Sequence, residues 1–218
     1  RRSSDLHLRG LAPDPARVHL SYHGLDLTRF GPTDRAHSMR DGSDAADPLR
    51  LVSVGRLVPK KGYDVLLRAL ALLPDDIAWR FEHIGGGPEL DQLQALAREL
   101  GLSERIDWRG ALPQLDVLGL YRDSDLFVLP SRITPDGDRD GLPNVMVEAA
   151  SQRLCCIGSN ISGIPELFQD GENGLLVPPE DAPALARAME RALRDPALRR
   201  RLGDAAEARV RADFDADA

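Results

Sequence analysis

Short apolar runs alternate with amphipathic stretches along nearly the whole chain. "RVHLSYHG" at 17–24 predicts a strand that ends in a turn. "LRLVSVGRL" at 49–57 is almost continuously apolar, as a strand buried on both faces must be. "GYDVLLRALALLP" then repeats apolar residues at helical spacing through Val65, Leu66, Ala69, Leu70 and Leu73. "IAWRFEHIGGG" predicts a strand that runs into three glycines. In "PELDQLQALAREL" the spacing predicts a helix with Pro88 at its first position and Gly101 just past its end. "RIDWRG", "DLFVLPS", "LCCIG" and "GLLVPPE" predict further strands. "LDVLGLYRDS", "LPNVMVEAASQR" and "IPELFQD" predict helices between them. Two helices, 182–194 and 196–213, close the pattern.

A β-α alternation of this kind predicts an α/β fold: a Rossmann-like, doubly wound, mostly parallel sheet with helices on both faces. Residues 34–48 are polar and predict a flexible loop. No repeat and no proline-rich linker divides the 218 residues, so a single domain, 1–218, is expected. The opening "RRSSDLHLRG" lacks an initiator Met, and the expectation is a piece of a longer protein.

Composition narrows the functions. The net charge of −7 disfavours indiscriminate nucleic-acid binding. No apolar run approaches the roughly 18–20 residues of a membrane-spanning helix. The adjacent cysteines Cys155 and Cys156 predict buried thiols, because a bridge between neighbours is strained. The 28 Lys and Arg residues include only two lysines, Lys60 and Lys61, side by side. The five histidines show no metal-ligand spacing and are expected to be structural.

Ligands of doubly wound sheets bind beyond the carboxyl ends of the strands, and four segments there carry polar chemistry. Arg56 and Lys61 bracket a strand-to-helix turn, where an anion such as a diphosphate would be met by a planar fork and a point charge. A solvated basic turn is the alternative. "IGGGPEL" has glycines that let a ligand or a backbone approach, but it is neither a G-x-G-x-x-G fingerprint nor a P-loop. "SRITPDGDRDGLPNVMVEAAS" places Asp136, Asp138, Asp140 and Gly141 before a helix. An EF-hand register fails there, because its twelfth position falls on Val147, and the D-x-D at 138–140 has chance as a sufficient origin. Asp140 and Glu148, eight apart, are expected to border one pocket, with Glu148 about two turns inside the helix. "SNISGIPELF" reads as a helix start with a structural cap.

Taken together, "HLSYHGLDLTRF", "VGRLVPKKGYDVLLRAL", "IGGGPELDQL", "IDWRGALP", "DLFVLPS", "DGLPNVMVEA" and "SGIPELFQDGENGLLVPPED" resemble the C-terminal, donor-binding half of GT-B glycosyltransferases. The resemblance is to glycosyltransferase family 4, the glycosyl transferases group 1. It implies a nucleoside diphosphate sugar as donor, no metal or other cofactor, and sugar transfer with retention of configuration. It implies a saccharide or lipid-linked acceptor held by an absent N-terminal half, in cell-surface or exopolysaccharide synthesis. A cytoplasmic setting follows, with any membrane contact made through the missing half.

The resemblance assigns catalytic roles to Arg56 and Lys61, on the diphosphate, and to Asp140, near the donor sugar. Donor binding falls to Gly85, Gly86, Arg109, Leu112, Gly141, Leu142, Pro143, Asn144 and Glu148, with Glu148 on the ribose hydroxyls and Arg109–Pro113 beside the base. Lys60 receives no role. The chain departs from the pattern at Asp140, where Glu is usual. It departs also at Tyr22-His23, where Pro-Asn is common, and at Arg153 and Cys155, where Gly and Pro are common. A non-catalytic binding module and a sugar-nucleotide epimerase share the same architecture.

Overall fold

The structure is a computed structural model and describes residue 30 and residues 38–214. The strand expected at 17–24, Tyr22-His23 and all histidines except His83 lie outside the described residues. Six strands form one parallel sheet: β1 (Leu49–Val54), β2 (Trp79–Ile84), β3 (Ile106–Gly110), β4 (Leu126–Leu129), β5 (Cys155–Ser159) and β6 (Leu175–Val177). Their order is β3-β2-β1-β4-β5-β6, every pairing parallel. The order reverses between β1 and β4, which opens a crevice at their carboxyl ends. Helices cover both faces of the central strands, so β4 and β5 have no exposed residue.

One face carries α1 (Tyr63–Leu70), α2 (Leu90–Glu99) and α6 (Ala182–Arg194), with α1 packed on α2 and α6. The other carries α3 (Gln114–Asp123), α4 (Asn144–Ser151) and α7 (Pro196–Asp213), with α4 packed on α3 and α7. The short α5 (Ile164–Leu167) follows β5. Both closing helices start where the sequence places them. Asp181 and Asp195 each accept a hydrogen bond from the third residue on, Ala184 and Leu198, at 2.8 and 2.9 Å. These caps occupy donors that a helix start leaves free.

Several boundaries differ from the sequence expectation. The first helix ends at Leu70 rather than at Leu73, which remains buried. Pro74 disfavours helical backbone at Leu73, and its ring would meet the Leu70 carbonyl. The second helix begins at Leu90, two residues after Pro88, because the Glu89 N–H is donated to the Leu57 carbonyl. β1 ends at Val54, since Leu57 donates its N–H sideways to Gly86.

Residues 38–48 form no regular element. Arg40 ties them to Asp47 at 2.7 Å and to the buried Asp125 at 3.3 Å, while the Gly42 carbonyl accepts from Ala78 N. Cys155 and Cys156 are both buried and unbridged.

Arg153 ends α4 in the left-handed region, with φ 58°. Its guanidinium is held on α7 by Asp204 at 2.5 Å, with Glu207 at 3.6 Å. A non-glycine residue in this conformation costs about 1–2 kcal/mol, and a partly exposed ion pair returns about 1 kcal/mol or less. Arg153→Ala keeps the strain and loses the pair, so urea denaturation should show about 1 kcal/mol of lost stability. Arg153→Gly loses both and should be close to neutral.

His83 is fully buried on β2, with the Tyr63 ring edge-on at 4.5 Å and Trp108 at 5.5 Å. Neither ring nitrogen has a hydrogen-bond partner among the described residues, and burial pushes its pKa down to about 4. The folded chain therefore binds this proton later than the unfolded chain, whose value is near 6.5. Stability is full above that value and is lost as pH falls from about 6.5 toward 4, by on the order of 3 kcal/mol. The difference in unfolding free energy between the parent and His83→Leu should show that slope across the window.

Candidate functional site

The loops at the carboxyl ends of the strands touch one another in sheet order, backbone against backbone. Gly85, after β2, donates its N–H to the Gly110 carbonyl at the end of β3. A Cβ on Gly85 would lie 2.1 Å from the Gly55 carbonyl oxygen, just after β1. Gly87 stands in the same way against Leu57. On the other side, a Cβ on Gly62 would lie 2.1 Å from the Pro130 carbonyl oxygen after β4. Gly163, after β5, donates to the Gly141 carbonyl at 3.3 Å. The glycines expected to admit a ligand thus divide. Gly85 is required by the neighbouring loop, whereas Gly86 and Gly141 face open space.

The charged residues gather at the reversal between β1 and β4. A 3-10 turn, Pro59–Lys61, leads into α1 and carries both lysines. Lys61 Nζ lies 2.8 Å from Asp140 and is mostly covered. Lys60 Nζ lies 3.1 Å from Asp138 and 3.5 Å from Asp140. Asp138 leads the causes that raise the Lys60 pKa. Arg56 is exposed and forms no ion pair with the described residues.

Arg132, which the sequence pattern does not single out, fastens the loop after β4 to this turn. Its backbone N–H donates to the Lys60 carbonyl at 2.8 Å and its Nε to the Pro59 carbonyl at 2.7 Å. Its guanidinium also pairs with Asp64 at 3.0 Å. An arginine three residues past a buried strand is the only local signal for it.

Glu148 is the fifth residue of α4, about one turn in, because the helix begins only at Asn144. Glu148 is therefore not two turns inside the helix as expected, and Asp140, before the helix, is held by the two lysines. Burial pushes the Glu148 carboxyl above the ordinary glutamate range, opposed by a hydrogen bond from the Tyr121 hydroxyl. Gly141 and Asn144 are exposed, Leu142 is half-buried and Pro143 is buried as the residue before the helix.

Arg109, expected beside the base, lies within β3 as "RIDWRG" predicts, and its guanidinium turns back along the sheet to Glu82 at 3.0 Å and Asp107 at 3.4 Å. Asp107 stands two residues before it and Glu82 pairs with Asp107 in register, so all three share one face. Leu112, in the following loop, packs against the core.

A cavity of about 590 Å³ lies elsewhere, at the amino ends of β1 and β4, between Met39, Arg40, Arg50, Arg122 and Asp123. Its lining mixes three arginines with four aspartates. It shares no residue with the cluster at the carboxyl ends.

A parallel, doubly wound sheet with cations and carboxylates gathered at its topological reversal defines a Rossmann-like domain of the GT-B type. The chain belongs to the glycosyl transferases group 1 family, whose sequence profile matches residues 34–209. It is 34% identical over 180 residues to the putative colanic acid biosynthesis glycosyltransferase WcaL of Salmonella typhimurium, covering 82% of this chain and 43% of that protein. Sucrose-phosphate synthase from Thermosynechococcus elongatus superposes with a TM-score of 0.80 at 29% identity, over 98% of this chain and 53% of that one. Anabaena Alr3699/HepE in complex with UDP superposes with a TM-score of 0.80 at 23% identity, over 98% of this chain and 58% of that one. The last likeness is one of fold. The chain spans about half the length of these proteins. Among the described residues no helix is long and apolar enough to cross a membrane.

Proposed function

We propose that this chain is the donor-binding half of a retaining glycosyltransferase of family 4. It binds a nucleoside diphosphate sugar, and in the complete protein the sugar passes with retention to a saccharide or lipid-linked acceptor in surface polysaccharide synthesis. The observation that carries the reading is the position of Lys61 with Asp140 at the crevice between β1 and β4, one strand-end turn away from the exposed Arg56. The naming of a family relative for colanic acid biosynthesis supports sugar transfer into a polysaccharide, and a fold neighbour crystallised with UDP supports a nucleotide donor.

In this reading Lys61 and Arg56 meet the diphosphate's charge, and they stabilise it further as the bond to the sugar breaks. A preorganised donor where water is excluded is worth on the order of 3–4 kcal/mol in the transition state. The departing phosphate, rather than a side chain of this half, takes the acceptor's proton. Asp140 has only acceptor oxygens and suits sugar hydroxyls. Its Oδ2 lies 2.8 Å from the Lys61 ammonium. Glu148, partly covered, suits the ribose hydroxyls and serves best as a carboxylate, so donor affinity should fall as pH drops through its raised pKa. Calorimetry of this chain with UDP, GDP and ADP tests the reading. Binding of at least one in the micromolar range is expected, and no binding of any at millimolar concentration overturns it.

A further inference from the structure

Four charges at the β1–β4 crevice form a chain: Asp138, Lys60, Asp140, Lys61. Successive members lie 3.1, 3.5 and 2.8 Å apart. Each inner member serves two opposite charges. Asp140 is shared by both lysines, and Lys60 is shared by both aspartates. Exposure is graded along the chain, from 57% for the Asp138 side chain through 25% and 19% to 12% for Lys61. Solvent therefore screens the Asp140–Lys61 pair least. Asp140 and Lys61 form a close ion pair at 2.8 Å. A second anion that reaches Lys61 therefore competes with that carboxylate.

We propose that this chain of charges sets the affinity of Lys61 for the donor's diphosphate, with Lys60 and Asp138 acting through Asp140. The proposal rests on the donor-binding reading. Asp140 competes with the diphosphate for Lys61. Lys60 draws on the same carboxylate and weakens that competition, and Asp138 in turn holds Lys60 back. Lys60 and Asp138 are thus positioning residues that touch no phosphate. Like charges two places apart along such a chain help one another, and neighbours of opposite charge oppose one another. Loss of Lys60 therefore leaves Asp140 wholly to Lys61 and weakens diphosphate binding. Loss of the Asp138 charge lets Lys60 lean on Asp140 and strengthens it. Neutralising Asp140 strengthens binding and removes both effects, because the link is gone.

Dependence on Asp140 separates this arrangement from simple proximity. If Lys60 and Asp138 merely added charge near the ligand, their effects would persist without Asp140. Calorimetric titration of this chain with UDP, GDP and ADP should give binding about fivefold weaker in Lys60→Ala and about threefold tighter in Asp138→Asn. In an Asp140→Asn background both changes should shrink to less than about 1.5-fold, as coupled neighbours require. Lysine labelled with ¹³C at Cε gives a second readout, since the chain has only two lysines. The Lys61 signal should move in Asp138→Asn before any ligand is added, and the nucleotide should shift Lys61 more than Lys60. Effects of equal size with and without the Asp140 charge, or a Lys61 signal unmoved by Asp138→Asn, overturn the proposal while the donor-binding reading stands. A parent chain that binds none of the three nucleotides overturns both.

Discussion

Replacing Arg56 and Lys61 together by alanine should lower nucleoside diphosphate affinity by at least about 100-fold while leaving the fold intact. A hydrogen bond to a charged group contributes about 1.5–3 kcal/mol net, and each 1.4 kcal/mol is a factor of ten in affinity. Removing two such hydrogen bonds together gives the stated drop, and Lys61→Ala alone should account for the larger part. Lys61 is the more covered of the two, so its charge is less screened. The fold should survive for separate reasons. Arg56 forms no ion pair with the described residues, and the Asp140 carboxylate that Lys61 leaves behind still has Lys60 at 3.5 Å. Calorimetry with whichever of UDP, GDP or ADP binds the parent checks the affinity, and thermal denaturation checks the fold. A double variant that binds like the parent would remove Arg56 and Lys61 from the site.

Gly62→Ala should destabilise the chain by about 3 kcal/mol or more and weaken nucleotide binding with it. Gly62 has φ +67°, and its missing Cβ would sit 2.1 Å from the Pro130 carbonyl oxygen. The left-handed backbone alone costs an alanine about 1–2 kcal/mol. The clash adds to this because neither partner is a flexible side chain: one is the cap of α1 and the other the exit of β4. Relief requires the two loops to separate. The Arg132-to-Lys60 hydrogen bond and the Lys61–Asp140 pair cross the same seam, so separation loosens them as well. Against a typical total stability of about 5–15 kcal/mol, the loss is large. Gly86→Ala is the control. Nothing lies within 4 Å of its added Cβ, so urea denaturation should change by less than about 0.5 kcal/mol. Equal midpoints for parent and Gly62→Ala would show that the seam is softer than its geometry implies.

The residues expected to act on the donor were legible to different degrees. Lys61 stands out in the sequence because the chain has only two lysines and this one precedes a glycine at a helix start. Its partner was not legible: Asp140 lies 79 positions on and meets Lys61 only because β1 and β4 are neighbours in the sheet. Lys60 looks in sequence like an idle surface residue, yet Asp138 and Asp140 both hold it. Arg109 is the opposite case. Its place at a strand-to-loop junction suggests a ligand contact, whereas two carboxylates on its own sheet face draw the side chain back. The glycines of "IGGG" are alike in sequence and different in space, one pressed on Gly55 and one facing open solvent.

What the sequence alone determined is what short-range physics governs. Apolar runs and helical spacing placed all six described strands and the bounds of α6 and α7. Their alternation selected a doubly wound parallel sheet, because each strand must be covered on two faces and each crossover has one favoured hand. What only the tertiary structure decided is the pairing of charges between loops that meet at the carboxyl ends. Those choices turn on ion pairs of 2.8 to 3.5 Å and on glycines that leave no room for a Cβ, between segments far apart in the chain. They are set by the packing of glycines against neighbouring backbones, and no local pattern encodes that.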